Sequence, residues 1–113
     1  MLAFKVILQA RPGRERSLEE ALLTMRRDAA KEDVDSAPML FRALKNRGRF
    51  LLLKEYTDRD SFERGISAHY VEELSLKLED LIEEPFDAAL YRKIGEIKSK
   101  EDKKRNLTPS GKG

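Results

Sequence analysis

The sequence predicts an α+β domain with a ferredoxin-like β-α-β-β-α-β order, and three observations predict it. Period-two apolar runs lie at 2–10, 39–56 and 86–94. Helical-period stripes run from Leu18 to Ala29 and from Phe62 to Ile82. The middle β-rich stretch is split by NRGR at 46–49, a turn carrying Gly48, which makes it a hairpin. Such an order puts four antiparallel strands in one sheet with the helices on one face. At 113 residues the chain fits one domain. The folded part is expected over 1–94, with 95–113 as a basic tail.

Taken in order, residues 2–10 put Leu2, Phe4, Val6 and Leu8 on one face of a strand, and Ala3, Lys5, Ile7 and Gln9 on the other. Arg11-Pro12-Gly13 is a turn signal. A helix follows, with Ser17 as N-cap and Glu20 as the second half of a capping box. Its stripe is Leu18, Leu22, Met25 and Ala29, and it ends in the polar loop 31–38. In the hairpin, Leu40 and Leu44 face away from Met39 and Phe41. Phe50, Leu52 and Tyr56 likewise face away from Leu51 and Leu53. Thr57 is placed to cap the next helix, with Asp60 as its acidic partner. Gly65 weakens that helix by ~1 kcal/mol relative to alanine, so a bend or break is expected nearby. The pattern fits one bent helix or two. From Tyr70 a longer amphipathic helix carries Val71, Leu74, Leu78, Leu81 and Ile82 on one side, and Pro85 is placed to end it. The last strand, 86–94, has Phe86, Ala88, Leu90 and Ile94 on one face, with Arg92 as the exception.

Composition narrows the function. The chain has no cysteine and one histidine, which excludes thiol chemistry and argues against a zinc site. No apolar run approaches the ~20 residues that span a bilayer. Lys5, Gln9 and Arg11 interrupt the opening segment, so no secretory leader is visible, and a soluble cytoplasmic protein is expected. No phosphate loop, dinucleotide fingerprint or nucleophile elbow is present, and no cofactor is expected. The charged fraction of 39% reflects solvated helix faces. Of the net charge of +2, residues 95–113 hold +3, leaving −1 for the rest. That tail reads as disordered and solubilising, and nucleic acid is not the expected partner.

Several strands are apolar on both faces: Leu51, Leu52 and Leu53 run together, and Ile7 lies opposite Phe4 and Val6. An apolar sheet face needs a cover. Two-fold pairing with an identical sheet is the simplest one, so a homodimer through the sheet face is expected.

The first strand followed by ARPGRERSLEEAL, and the segment RGRFLLLKEYTDRDSFERGISAHYVEEL, are similar to the opening and the middle of a known family, and over residues 2–94 the chain resembles the antibiotic biosynthesis monooxygenase superfamily. The matching positions are Glu55-Tyr56, Asp58, Phe62 and His69-Tyr70. The resemblance implies a dimeric α+β barrel of two ferredoxin-like subunits, each with a pocket between sheet and helices. It implies enzymes that oxygenate quinol- or anthrone-like polyketides without flavin or metal, among relatives that degrade haem. Gly65 stands where the family often has a further histidine, and the absence of tryptophan argues against haem degradation. Muconolactone-type isomerases and stress-responsive barrels share the fold.

In the monooxygenase reading His69 is the catalytic base, taking a proton from a phenol or activated CH2. Tyr56, Tyr70, Arg42 and Phe62 contact a small aromatic, quinol or polyketide substrate. More ordinary uses stand beside these roles. His69 could bond backbone at the helix junction, and the tyrosines could sit at a core edge. Arg42 and Arg92 could pair with Asp87 or Glu55 at the dimer interface. Lys5 and Lys54 could snorkel at the sheet edge. A second function is a non-catalytic dimer that binds a small ligand or another protein. The space between sheet and helices separates the two readings, since ~300 Å³ suits a ligand.

Overall fold

The computed structural model of the chain describes residues 1–33, 35 and 37–95. The expected tail lies outside them apart from Gly95. The elements are β1 (Leu2–Gln9), α1 (Glu15–Glu32), β2 (Met39–Arg42), β3 (Arg49–Tyr56), α2 (Arg59–Ile66), α3 (His69–Leu81) and β4 (Asp87–Arg92). The strands form one antiparallel sheet in the order β2-β3-β1-β4. This is the ferredoxin-like α+β arrangement, with two separate helices, α2 and α3, in the second crossover.

Alternation along the inner strands sets the core. Leu8 pairs with Phe50 and Val6 with Leu52, so their side chains share the face toward the helices. Leu18, Ala21, Leu22 and Met25 of α1 and Leu74 and Leu81 of α3 close over them. Leu8, Leu18, Leu22 and Ile82 are at most 1% exposed. Each such side chain contributes about 1.5–3 kcal/mol by leaving water.

Main-chain context moves several element ends. α1 begins at Glu15, so Ser17 lies inside it and caps nothing. Gly13, at φ 85°, and the Arg14 N–H bonded to the Arg11 carbonyl (2.9 Å) deliver the chain into the helix three residues early, with Arg14 at the N-cap position. α2 is capped by Asp58, whose carboxylate accepts from the Ser61 N–H at 2.8 Å. Thr57 sits one residue too early and reaches only the Ser61 hydroxyl. α3 stops at Leu81, well before Pro85, because the following chain pairs with the end of β1. The Arg11 N–H bonds the Leu81 carbonyl, and the Glu83 N–H bonds the Gln9 carbonyl, each at 2.8 Å. Leu44 belongs to the hairpin turn and not to β2, and it is fully exposed. Phe86 and Ile94 fall outside β4, and Ile94 is 95% exposed.

The sheet face away from the helices carries Met39 and Phe41, each 47% exposed, Tyr91 at 51%, and half-buried Ile7, Leu51 and Leu53. Lys5, Glu55 and Asp87 share it by register. Glu55 pairs with Lys93 at 3.0 Å, and the Lys5 ammonium lies 5.7 Å from the Tyr91 ring. β1 and β3 are the inner strands, so neither Lys5 nor Lys54 sits at a sheet edge. Among the described residues no helix is long and apolar enough to cross a membrane.

Candidate functional site

Burial falls along β1 from Leu8 (1%) through Val6 (9%) to half-buried Phe4, and the packing opens with it. α2 spans eight residues and buries none of them. Between α2, α3 and the sheet it leaves a cavity of about 810 Å³. Phe4, Val6 and Leu8 of β1 and Leu52, Lys54 and Tyr56 of β3 form its floor. Met25, Gly65, Tyr70 and Leu74 are among its walls. The volume falls within the ~300–1,000 Å³ range of small-molecule sites.

Tyr56 is fixed from three sides. Its ring meets Phe62 edge-on at 5.4 Å, and Phe62 in turn packs edge-on against Phe4 at 5.0 Å. The Lys54 ammonium lies 4.8 Å from the Tyr56 ring centroid, a cation–π contact. Gly65 supplies the third side. A Cβ there would come within 2.7 Å of Tyr56 Cε1, so the close approach of α2 to this ring requires glycine. The break expected near Gly65 is present one residue on. The chain breaks after Ile66, while Gly65 itself stays helical against the tyrosine.

Both phenols are held neutral. Burial raises the pKa of Tyr56, and Tyr70 adds to the effect. Burial also raises Tyr70, with Glu32 and Asp33 adding repulsion. Each remains an O–H donor at neutral pH, and the fold loses that preference only as the pH climbs past the ordinary phenol value of about 10.

The other expected site residues scatter. His69 opens α3 with its side chain 65% exposed, Nδ1 3.9 Å from the Glu32 carboxylate, its ring edge-on to Tyr70 at 5.5 Å. It does not line the cavity, although Glu32 and Tyr70 do. α3 starts with no side-chain cap, so His69 is not bonded to backbone in that role either. Arg42 is ion-paired with Glu19 of α1 and stacks 5.5 Å from the Phe50 ring, away from the cavity. Its partner is thus neither Asp87 nor Glu55. Phe62 stands behind Tyr56 and positions it from outside the lining. Lys54 and Gly65 join the site although the sequence reading gave them other roles, a snorkelling lysine and a helix-weakening glycine. Their signals were a lysine in an otherwise apolar alternation and a glycine inside a helical stripe. Among the described residues no group of three or more His, Asp or Glu is placed to hold a metal ion.

No protein-family model matches the sequence, and no curated protein matches it. Solved structures do. A candidate antibiotic biosynthesis monooxygenase from Nitrosomonas europaea superposes with a TM-score of 0.73 at 15% identity, covering 84% of this chain and 100% of that one. Another candidate of the same description, from Deinococcus radiodurans, gives 0.74 at 16% identity, covering 88% and 98%. The chain has the monooxygenase-type fold. A conserved protein from Methanosarcina mazei Go1 shares it as well, with a TM-score of 0.72 at 17% identity over 82% of this chain and 92% of that one. The resemblance carried by residues 2–94 and the solved structures agree on this architecture. On the monooxygenase-type fold, as on any shared fold, the side chains of the cavity decide the chemistry.

Proposed function

We propose that the chain binds a small aromatic molecule, of quinol or polyketide type, in the cavity between its sheet and helices. The observation that carries this is an 810 Å³ cavity whose floor is mostly apolar, with two neutral phenols, Tyr56 and Tyr70, on its lining. The apolar floor favours a flat ring system, and the phenols supply hydrogen bonds to its oxygens. Calorimetry with anthrone and menadiol tests it. Wild type should bind at least one of them with one site per chain. Gly65→Ala should weaken that binding ~10-fold by displacing the Tyr56 ring. Stability should stay within about 1 kcal/mol of wild type, because the alanine gain in helix propensity offsets the shift. If neither compound binds wild type, the reading fails.

Oxygenation of that ligand is the second reading, supported by the likeness to candidate monooxygenases. In it His69 remains the base, acting from outside the cavity on a ligand that reaches the Tyr70 end. Oxygen uptake with the same compounds separates the roles. A fall of at least ~100-fold in His69→Ala is the scale of a lost general base. Uptake that survives the change keeps the enzyme and discards His69. Binding without uptake leaves a binding protein.

The open sheet face belongs to the same proposal, with a second copy of the chain as its occupant. Met39, Phe41, Leu51 and Leu53 give it an apolar half. Lys5, Glu55 and Asp87 give it charges of both signs, as a surface that must match itself under a two-fold axis requires.

A further inference from the structure

We propose that Lys54 makes the cavity selective for aromatic ligands bearing an ionised oxygen, as a carboxylate, phenolate or enolate. The inference rests on the cavity-binding reading and names the ligand chemistry within it. Lys54 occupies the helix-facing row of β3 between Leu52 and Tyr56, directly opposite Phe4. Its neighbours in that row and across it are apolar or aromatic. A lysine there breaks an alternation that a leucine or valine would complete, and it lines the cavity floor.

Its ammonium has donors to spare. Nζ donates to the main-chain carbonyls of Asp35 at 3.2 Å and Glu55 at 3.4 Å, both near the long end of hydrogen bonding. None of the ion pairs among the described residues includes it. The carboxylates around the cavity are turned to other partners. Glu32 faces His69, Asp33 accepts from the Asp35 N–H at 3.0 Å, and Glu55 meets Lys93. Asp35 meets Lys54 through its carbonyl. The ammonium also lies over the Tyr56 ring, whose neutral O–H borders the same space. An anionic oxygen placed between them would take a charge-assisted bond from Nζ and a second from the phenol. A neutral ligand of the same shape would gain neither in full.

Two probes with one ring system test this at pH 7: 2-naphthoate, which is ionised, and 2-naphthalenemethanol, which is not. Wild type should bind the naphthoate at least ~10-fold more tightly, the low end for a hydrogen bond to a charged group. Lys54→Met should erase the preference, so that the two probes bind alike, and an unchanged circular dichroism spectrum shows that the variant is folded. Lys54→Arg should retain most of the preference. Equal binding of both probes by wild type, or a preference that survives Lys54→Met, overturns the role of Lys54 and leaves the cavity reading standing. Failure of wild type to bind either probe overturns the role of Lys54, and it overturns the cavity reading as well where anthrone and menadiol also fail to bind.

Discussion

Replacing Leu22 by alanine should destabilise the domain by about 2–5 kcal/mol, the range for emptying a buried leucine site. Leu22 is 1% exposed and sits in the cluster with Leu8, Leu18 and Phe50, where close packing on every side prevents the gap from closing. A domain of this size has only ~5–15 kcal/mol in total, so the loss is a large share of it. The melting temperature should fall by at least ~10 °C, at the several degrees per kcal/mol typical of such domains. Leu23→Ala is the control. The neighbouring leucine is 43% exposed, and its removal should change stability by no more than about 0.5 kcal/mol. Denaturant melts of the two variants read both numbers. Equal effects would mean that α1 does not present the face described.

If two copies pair through the open face as proposed, Leu53→Glu should leave the protein monomeric. Leu53 lies at the middle of the open face, paired with Met39 on one side and Lys5 on the other. In the single chain it is half-buried, so a glutamate there can still reach water and the domain should fold. In a dimer through this face two new carboxylates would be buried where leucines packed, at several kcal/mol each, and the Lys5 ammonium opposite each would offset only part of that cost. Sedimentation at ~10 μM should show wild type at twice the mass of the variant, with matching circular dichroism. A wild-type monomer, or a variant that stays dimeric, sinks the proposed pairing.

The sheet was readable because its inner strands obey a two-residue period. Phe4, Val6 and Leu8, and Phe50, Leu52 and Tyr56, fall on the helix side as the alternation required. The ends were not readable, because main-chain bonds to distant residues set them. No local pattern places the Leu81 carbonyl beside Arg11, yet that contact fixes where α3 stops. The cavity was legible only in part. Tyr56 and Tyr70 carried their signal as aromatics bordering amphipathic elements. The volume itself depends on α2 being short and shallow, which follows from Asp58 capping it and from the break at Ser67 and Ala68. His69 stood out because it is unique in composition, and uniqueness says nothing of direction. Its side chain turns to solvent, while Lys54, one of many lysines, turns inward.

The strand order carries a consequence for synthesis. β1 is translated first and ends up second from one edge, between β3 and β4. The β2–β3 hairpin is the one local strand pair; Leu2 finds its partners at Tyr56 and Arg92. A nascent chain therefore displays β1 with no ladder on either side until β3 has emerged, and with one edge bare until β4 follows. At ~5–20 residues per second that second interval lasts on the order of several seconds. During it an exposed strand containing Phe4, Val6, Ile7 and Leu8 can pair with the same strand of a neighbouring chain on a polysome. The demand for chaperones should thus persist until β4 emerges, and a truncation after Tyr56 should aggregate through its own first strand.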